Sequence, residues 1–511
     1  MHLKTLFILS ALFALLCSTS CRKDFEYTES SGRLSFSRDT VYLDTVFTNI
    51  GSSTYNLKVF NDTKKDILIP NISLKNGNES YYRLNVDGVA GKEFTNIPIY
   101  AEDSLFVFVE TTIDITDNSL NELLYTDAIL FDKEPFQQTV ELVTLAKDAI
   151  FLYPQENKKE SIVLYTDENG NPIEIEGFEL ADIHLNFKND KSYVIYGYAV
   201  IPKGKKLIID PGTRVHFHLN SGILVQDESS IIINGKLSSN DNEFEKEVIF
   251  EGDRLEPEFE NIPGQWGAIW IGAGSKDNAI NHLTIKNAEI GLYVEGQINA
   301  PEETLNIANS RIFNSAKYNI WASNAYIVAN NLVLGAAGNS SLKVENGGTY
   351  SFSHATIANY WNKGFRFNAS VEISNTSGTD ESGSFDLFLA DFKNCIIDGN
   401  SSNEILLQKN DQNIFNYTFQ NCFIKFNENQ SSTNEDVLYD FENKEHYLNI
   451  TLNGKLDYFQ PFMNDYRIGL DSELINKGDI NTANNYPVDI LGTQRIPNPD
   501  LGAFQAKEKN Q

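Results

Sequence analysis

The sequence predicts an all-β protein in which a right-handed parallel β-helix follows a β-sandwich. Three observations support this prediction. One short pattern recurs six times between residues 280 and 426, at spacings mostly in the twenties. The recurring segments alternate apolar and polar residues, as β-strands do. The stretch before residue 150 contains separate alternating runs that are divided by turn residues.

Each copy of the pattern has an apolar residue, then Asn or His two places on, then an apolar residue five places on. A fixed period without helical periodicity is typical of a solenoid, because one copy is too short to bury its own apolar face. Asn tolerates positive φ, and stacked amides can bond to each other, so we expect a ladder of turns. A β-sandwich with accidental spacing is the alternative. The copies are Ile280-His282-Ile285, Ile307-Asn309-Ile312, Val328-Asn330-Val333, Phe352-His354-Ile357, Phe392-Asn394-Ile397 and Phe419-Asn421-Ile424.

Composition excludes several classes of function. The chain has 511 residues and a formal net charge of −29, which argues against nucleic acid as a partner. Its length exceeds one ordinary core, although a solenoid can extend that far. The sequence has no H-E-x-x-H motif, no Gly-rich phosphate loop after a strand and no nucleophile elbow. We therefore expect no cofactor and no metal, and binding is favoured over catalysis.

The first 20 residues have the features of an export signal. Lys4 precedes an apolar run at residues 6–16, which is too short to span a bilayer. Small residues then lead to Cys21, and this stretch resembles a bacterial lipobox, which implies that Cys21 is lipidated; Cys17 is the weaker candidate. Residues 22–26 resemble the charged export tag of some outer-membrane lipoproteins. The resemblance implies an acyl-anchored (palmitate-bearing) outer-membrane lipoprotein, on the cell surface or the periplasmic face.

Residues 27–150 predict an immunoglobulin-like sandwich of about seven short strands. Alternating runs at 33–36, 56–60, 66–69, 104–109 and 138–145 are separated by turn residues that include Asn76-Gly77 and Asp87-Gly88. The region has neither Cys nor Trp, so the Cys–Trp–Cys pattern of antibody domains is absent. Residues 81–88 resemble sandwich domains that precede β-helices in surface lipoproteins, which implies a spacer role.

The remaining chain divides into a connector and N-terminal cap at 151–197, the β-helix at 198–427 and a closing region at 428–511. Residues 193–235 and 264–271 resemble the openings of bacterial β-helix lipoproteins, and residues 472–504 resemble the ending of many secreted β-helix proteins. The chain as a whole resembles right-handed parallel β-helix repeat surface lipoproteins with an N-terminal immunoglobulin-like domain. Arg495 is flanked by Asp489 and Asp500, which predicts a structural ion-pair clamp.

Two pairs of residues have both a structural and a functional interpretation. Cys395 and Cys422 each follow a ladder Asn, so we expect them to stack inward on adjacent rungs, roughly 4.8 Å apart, as buried thiols or as a disulfide. His216 and His218 alternate outward on one strand. They could share a metal, but no third ligand is evident, so a solvated strand face is favoured.

A column of outward residues is the strongest candidate site. We expect the inward pairs Ile269/Ile271, Leu292/Val294, Ile320/Ala322, Leu342/Val344 and Phe365/Phe367, with the residue between each pair facing outward. Exposed rings would stack on the C–H faces of sugars, and cations would hold an acidic substituent. Burial of the aromatics beneath insertions is the alternative. The column is Trp270, Tyr293, Trp321, Lys343 and Arg366.

Two catalytic alternatives use the same face. Glu295 and Glu345 lie two residues beyond the column and two rungs apart, about 9.6 Å by strand spacing, close to the upper end of the ~6.5–9.5 Å carboxylate separation of inverting glycosidases. A polysaccharide lyase would use Lys343 or Arg366 as its base, and it needs acids to neutralise the substrate carboxylate, often through a metal; the sequence shows no acidic cluster beside Lys343.

Taken together, the sequence predicts a lipid-anchored envelope protein that binds polysaccharide or a surface partner without catalysis. A lyase or glycosidase on the strand face is one alternative. A structural or adhesive surface protein without a small ligand is another. The membrane, polysaccharide and other envelope proteins are the expected partners.

Overall fold

The computed structural model describes residues 27–115, 121–155, 160–166, 172–239, 244–297, 302–377, 384–427 and 437–509. The chain divides into two compact units, Met1–Lys147 and Asp148–Gln511. The first is a two-sheet β-sandwich and the second a parallel β-helix, so the predicted fold class is confirmed. The signal segment, Cys17 and Cys21 lie outside the described residues.

The sandwich has eleven strands in the described residues, more than the seven or so that the sequence predicts. One sheet has the order β1-β5-β10-β11-β3 with β8 paired to β5, and the other has the order β2-β4-β9-β6-β7. The strands are β1 Thr28–Glu29, β2 Ser35–Phe36, β3 Thr40–Phe47, β4 Tyr55–Phe60, β5 Ile67–Leu74, β6 Tyr82–Val86, β7 Val89–Gly91, β8 Glu93–Ile99, β9 Ser104–Thr111, β10 Glu122–Phe131 and β11 Gln138–Lys147.

Local sequence explains the sandwich well. Inward residues from both sheets, such as Val59, Val107, Ile129 and Leu142, form one buried cluster. Asp87-Gly88 is the two-residue loop of the β6–β7 hairpin, and both residues have positive φ, as a turn matching the strand twist requires. The immunoglobulin-like assignment of this sandwich stays a prediction.

The β-helix consists of three sheets in which neighbouring strands are parallel, apart from the antiparallel pair β13–β14. The chain passes from sheet 1 to sheet 2 to sheet 3 in each rung. Sheet 1 is β12 Ala149–Leu152, β16 Ser192–Ile195, β19 Arg214–Phe217, β22 Val248–Gly252, β25 Leu283–Lys286, β28 Arg311–Phe313, β31 Val333–Leu334, β34 Thr356–Asn359, β37 Ile396–Gly399, β40 Phe423–Ile424 and β42 Thr451–Leu452.

Sheets 2 and 3 have ten strands each. Sheet 2 is β13 Glu160–Thr166, β14 Pro172–Glu179, β17 Tyr198–Ile201, β20 Gly222–Val225, β23 Trp266–Ile271, β26 Ala288–Glu295, β29 Tyr318–Ser323, β32 Leu342–Glu345, β35 Val371–Ser374 and β38 Ile405–Gln408. Sheet 3 is β15 Asn186–Phe187, β18 Lys206–Ile209, β21 Ser230–Asn234, β24 Asn278–Asn281, β27 Leu305–Ala308, β30 Tyr326–Asn330, β33 Gly348–Ser353, β36 Leu387–Lys393, β39 Phe415–Gln420 and β41 Tyr447–Leu448.

Short elements complete the described chain. Sheet strands β43 Tyr458–Gln460 and β44 Asp465–Ile468 form an antiparallel pair, and one α-helix, α1, spans Ile480–Asn485. The 3-10 turns are Gly77–Glu79, Asp182–His184, Pro257–Phe259, Val437–Tyr439 and Pro461–Met463. The described residues contain no helix with the length and apolar character that a bilayer span requires.

One residue with positive φ makes the turn from sheet 3 to sheet 1 on seven consecutive rungs. Side-chain bonds run along these turns: Asn331 Nδ2 donates to Asn309 Oδ1 at 2.9 Å, and Asn394 Nδ2 lies 3.1 Å from His354 Nε2. The predicted ladder is therefore present. Its members are His282, Asn309, Asn331, His354, Asn394, Asn421 and Asn449, with φ between 47° and 55°.

The third copy of the predicted pattern is out of register by one residue. Ile307 pairs with Ala329, and Asn330 belongs to β30, so Asn331 rather than Asn330 makes the turn. The sequence misleads here because Asn330 and Asn331 are adjacent and the true first apolar position is only an alanine. A further copy, Tyr447-Asn449-Leu452, follows the six that the sequence shows clearly.

The interior of the β-helix is one continuous apolar cluster from Leu152 to Tyr447. Phe352, Phe392, Phe419 and Tyr447 stack on successive rungs with ring centroids 4.9–5.6 Å apart. Burying each ring contributes about 2–3 kcal/mol, and this gain lets short strands hold together.

The two cysteines of the β-helix occupy adjacent rungs inside the core, as predicted. Cys395 and Cys422 are fully buried and both are free thiols. Each donates to a backbone carbonyl of the preceding rung, Phe352 and Phe392 respectively. Burial, and then the neighbouring Cys395, raise the pKa of the Cys422 thiol well above its ordinary value, so these thiols act as small apolar residues.

Residues 151–197, for which the sequence predicts a connector and cap, carry the first strands of all three sheets. At the other end, residues 453–509 (the C-terminal arm) cover the outer face of sheet 1. Outward Val333, Ala358, Ile396 and Phe423 pack against arm residues in one cluster. Ladder amides hold the arm as well, since Asn394 exchanges two hydrogen bonds with the backbone of Asp479.

The predicted ion-pair clamp around Arg495 is wrong in its contacts. Arg495 is only 1% exposed, yet its guanidinium donates to Asn331 and to Gln505. Asp489 and Asp500 instead accept from backbone N–H groups. Burial lowers the pKa of Arg495 to about 10, with the charges of the two aspartates acting in the opposite direction. The carboxylates organise the arm, and Arg495 fastens it to the ladder.

Replacing Asn331 tests the corrected register. Asn331→Ala removes a side chain that tolerates positive φ and bonds Asn309, the Val488 carbonyl and Arg495. We expect a loss of about 2–4 kcal/mol, while Asn330→Ala should cost less than about 1 kcal/mol. Urea unfolding followed by tryptophan fluorescence measures both, because all 4 tryptophans lie in the β-helix unit. Equal losses in the two variants would contradict the register.

Candidate functional site

Ladder pairing places the first four residues of the predicted column side by side on sheet 2. Trp270 pairs with Tyr293, Tyr293 with Trp321, and Trp321 with Lys343. Their strand neighbours, such as Ile320 and Ala322, belong to the core cluster. The alternation of these strands therefore turns the four side chains outward.

Arg366 is not a member of the column, and its prediction as a fifth outward residue is wrong. The register position beside Lys343 is occupied by Glu372. Phe365 and Phe367, which the sequence predicts to point inward, are 92% and 93% exposed. The strand begins only at Val371, and the preceding loop is organised around a charge pair rather than around the pleat of a sheet.

That charge pair is buried. The Arg366 guanidinium donates to both oxygens of Glu404 at 2.6 and 2.9 Å, and the two side chains are 2% and 0% exposed. Glu404 also accepts from the backbone and the hydroxyl of Ser370. A bidentate pair with further donors satisfies an otherwise costly buried carboxylate, which makes the role of Arg366 structural.

The aromatic side chains of the column form one packed cluster. Ring centroids are 5.8 Å apart for Trp270 and Tyr293, 4.7 Å for Tyr293 and Trp321, and 5.4 Å for Tyr318 and Trp321. Tyr293 is only 6% exposed, whereas both tryptophans and Tyr318 are partly exposed. We call Trp270, Tyr293, Tyr318, Trp321 and Lys343 the aromatic face.

Sequence reasoning missed Tyr318 because strict alternation fails in this strand. The pairing of β23 with β26 shifts register by one residue at Gly291, and β29 keeps the extra residue at Asn319. A bulge of this kind redirects the side chains before it. Tyr318 consequently joins Trp321 on the outer face although it lies three residues away. A glycine inside a strand pattern is the available signal.

Carboxylates on the same face hold the rings. Trp270 Nε1 donates to Glu295 Oε2 at 2.6 Å, and the Tyr293 hydroxyl donates to Glu295 Oε1 at 2.9 Å. Two rungs further on, Trp321 Nε1 donates to Glu345 Oε1 at 2.8 Å. Charge-assisted bonds are stronger than neutral ones, so both indoles have fixed orientations.

Lys343 completes the arrangement at one end. Its Nζ lies 2.8 Å from Glu345 Oε2, 4.8 Å from the centroid of Trp321 and 5.3 Å from that of Tyr318. Burial lowers the pKa of Lys343, but the charge and hydrogen bond of Glu345, with smaller contributions from Tyr318 and Glu372, outweigh it and raise the pKa. A proton-abstracting lysine would need the opposite shift.

The two carboxylates have different surroundings. Glu295 and Glu345 both pair with Ser323, which confirms that they are two rungs apart. Burial raises the pKa of Glu295, against the opposing effect of the bonds from Tyr293 and Trp270. Glu345 instead faces an ammonium at 2.8 Å. The two carboxylates therefore differ in environment: burial dominates at Glu295, whereas Glu345 lies in an ion pair.

Histidines and acids elsewhere do not build a metal centre among the described residues, where no group of three or more His, Cys, Asp or Glu is placed to hold an ion. His216 is buried with Nδ1 3.6 Å from Glu251, which pairs with Lys286 at 2.6 Å. His218 lies 2.7 Å from Asp253 and stacks on Tyr196. The two histidines therefore have separate partners, and the expected solvated strand face is wrong for His216, which is only 5% exposed.

No protein-family model and no curated protein matches the sequence. Similar solved structures include the catalytic unit of a thermostable GH87 α-1,3-glucanase from Streptomyces thermodiastaticus strain HF3-3, with 9% identity, 72% of this chain and 74% of that chain covered, and a TM-score of 0.26. The Agl-KA catalytic domain has 12% identity, coverage of 73% and 75%, and a TM-score of 0.23.

A family 123 glycoside hydrolase from Clostridium perfringens has 8% identity and a TM-score of 0.16, with 22% of this chain and 26% of that chain covered. This chain thus spans about a quarter of the length of that enzyme.

Glu295 should make stability depend on pH. Its folded pKa lies above the ordinary value of 4.5, so the folded state binds the proton more tightly and loses stability as pH rises through the folded pKa. Glu295→Gln stays neutral and keeps one acceptor oxygen. We expect its unfolding temperature to exceed that of the wild type near neutral pH, with the difference shrinking towards about pH 4.

Glu289→Gln is the matched control, because Glu289 lies on the same strand with its side chain 38% exposed. Thermal unfolding followed by tryptophan fluorescence across the pH range measures both variants. A difference between Glu295→Gln and wild type that is constant with pH would contradict the assignment.

Proposed function

We propose that the protein is a lipid-anchored envelope protein that binds polysaccharide on the aromatic face. One observation carries the proposal. Two partly exposed indoles, Trp270 and Trp321, are each fixed by a hydrogen bond to a carboxylate, Glu295 or Glu345, on the same outward face. Large apolar rings that stay partly exposed together on one face are uncommon on a protein surface without a ligand.

The geometry suits a linear polymer. The aromatic members from Trp270 to Trp321 cross three rungs, which corresponds to a strip about 10 Å long by strand spacing. Rings that are already held in place lose little conformational freedom on binding. Tyr293 is too buried to touch a ligand. Its ring packs between Trp270 and Trp321 and separates them.

The charge of the face favours a neutral glycan. Without Arg366, the register positions beside and beyond the column carry, in the described part of the chain, three carboxyl groups, Glu295, Glu345 and Glu372, and one ammonium, Lys343. Lys343 is already paired with Glu345. A uronic or sulfated polymer would meet net repulsion, whereas hydroxyl groups can donate to the carboxylates.

A glycosidase is the second candidate, and a specific observation favours it. Burial raises the pKa of Glu295, whereas Glu345 is paired with an ammonium, and glycosidases use two carboxyl groups in such different environments. Glu295 would protonate the leaving oxygen while Glu345 activates water, an arrangement that inverts the anomeric centre. The indole bonds to both carboxylates would have to loosen for this to happen.

The envelope location rests on the N-terminal sequence. Acylation of Cys21 would anchor the chain, since each buried methylene contributes ~0.8 kcal/mol. The β-sandwich, which we take to be immunoglobulin-like, would follow the anchor as a spacer. Residues 22–26 are compatible with display on the cell surface and with display on the periplasmic face.

Affinity electrophoresis tests polysaccharide binding. The full-length protein in mild detergent is run through gels containing neutral, uronic or sulfated polysaccharides. We expect retardation by a neutral polymer and its loss in Trp321→Ala, because removing one stacking platform costs about 1–3 kcal/mol of affinity, roughly fivefold to 150-fold.

Phe365→Ala is the matched control, since Phe365 is an exposed aromatic outside the aromatic face and its loss should leave mobility unchanged. Unchanged mobility of the wild type in every gel would overturn the binding proposal. Release of reducing ends from the retarding polymer, abolished by Glu345→Gln, would move the conclusion to the glycosidase.

Lipid anchoring is tested separately. We expect the wild-type protein to sediment with membranes and its N-terminal peptide to carry diacylglycerol and acyl masses on Cys21, since two or more chains give stable attachment. Cys21→Ser should release the protein to the soluble fraction, whereas Cys17→Ser should not. An unmodified Cys21 in membrane-bound protein would refute the anchor.

A further inference from the structure

A cavity lies where the C-terminal arm crosses the last rungs of sheet 1. Its volume is about 340 Å³, at the small end of the range of ligand pockets. Sheet 1 contributes outward residues from β37 and β40, and the arm supplies the opposite wall. The lining residues that matter are Tyr360, Asp398, Phe423, Lys425 and Tyr458.

Asp398 is a buried carboxylate without a salt bridge among the described residues. It is 2% exposed and accepts from the Tyr360 hydroxyl at 2.6 Å. Burial raises the pKa of Asp398 to about 6, against the opposing effects of Tyr360, of a backbone bond and of the charge of Lys425. A buried carboxylate kept in a cavity at such a cost is more typical of a binding site than of a scaffold.

Tyr458 supplies an independent observation. Its side chain is 8% exposed, and its hydroxyl is buried without a hydrogen-bond partner among the described residues. Its ring stands edge-on to Tyr360 at 6.0 Å. Buried hydroxyl groups nearly always have a partner, and because Tyr458 lines the cavity, a ligand bound there could supply the missing partner once the side chain turns towards it.

Lys425 adds donors on the same wall. Its Nζ donates to the Gly399 carbonyl, and an ammonium has three N–H groups. The aromatic rings of Tyr360, Phe423 and Tyr458 provide apolar surface around these polar groups. The cavity thus has flat apolar walls and three kinds of polar group. These are a carboxylate that accepts hydrogen bonds, an ammonium that donates them and a phenol that can donate or accept.

We propose that this cavity binds a single neutral sugar residue through adjacent hydroxyl groups. A sugar hydroxyl both donates and accepts, so one hydroxyl can accept from Lys425 and donate to Asp398, while its neighbour pairs with the Tyr458 hydroxyl. The C–H face of the ring packs on the aromatic walls. Asp398 and Asp457 at the cavity would repel phosphate or sulfate.

The cavity is separate from the aromatic face, which lies on sheet 2, so the two proposals stand or fall independently. The test uses the full-length protein in mild detergent with a panel of neutral hexoses, deoxyhexoses and N-acetylhexosamines. Saturation-transfer NMR detects binding at millimolar sugar, and titration gives the dissociation constant.

Tyr458→Phe is the decisive variant because it removes an unpaired hydroxyl. We expect it to unfold at or above the wild-type temperature and yet to bind the sugar about threefold to tenfold more weakly. Asp398→Asn should also weaken binding. Tyr466→Phe is the matched control: the Tyr466 hydroxyl bonds Asn464 in the same arm and does not line the cavity, so the change should lower stability and spare affinity.

No binding by any sugar of the panel, or equal affinity in Tyr458→Phe and wild type, would overturn the proposal. Running Trp321→Ala and Tyr458→Phe in both the monosaccharide titration and the polymer gels separates the two sites. Polymer retardation that is lost in Tyr458→Phe and kept in Trp321→Ala would overturn the aromatic face while supporting this cavity.

Discussion

The left-handed turn between sheet 3 and sheet 1 is the constraint on which the β-helix depends. One residue must turn the chain from sheet 3 into sheet 1 on each of seven rungs, and Asn or His does so with φ near 50°. Because these residues have polar side chains, the turns also bond to each other and to the C-terminal arm, as Asn331 does with Asn309 and Arg495. The ladder therefore sets the register of the stack and the seat of the arm together.

Three buried or half-buried carboxylates of this unit are each held by hydrogen-bond donors on neighbouring side chains. Glu404 takes both donors of Arg366, Glu295 takes a hydroxyl and an indole, and Asp398 takes a tyrosine hydroxyl. The surroundings of these three carboxylates distinguish their roles. Glu404 is saturated and therefore structural, whereas Glu295 and Asp398, whose pKa values are raised by burial, retain the capacity to exchange a proton or accept a ligand.

Much of the fold could be predicted, and the failures are local. The period, the turn residues, the inward cysteines and four column members follow from side-chain alternation, which is a property of the strand itself. The prediction for Arg366 is wrong because Phe365 and Phe367 give the apolar alternation of a strand, although they lie in a loop. That loop is organised by Glu404, which is distant in the sequence. The outward position of Tyr318 was not predicted because a β-bulge shifts the alternation of side chains in its strand.

By itself, the sequence determined the solenoid, its turn ladder and the outward direction of Trp270, Tyr293, Trp321 and Lys343, because these depend on the repeat and on the pleat. Only the tertiary structure decided which groups meet. The partners of Arg366 and Arg495, and the cavity containing Asp398 and Tyr458, join residues far apart in the chain. Those contacts depend on how loops and the arm pack, and no local periodicity encodes that packing.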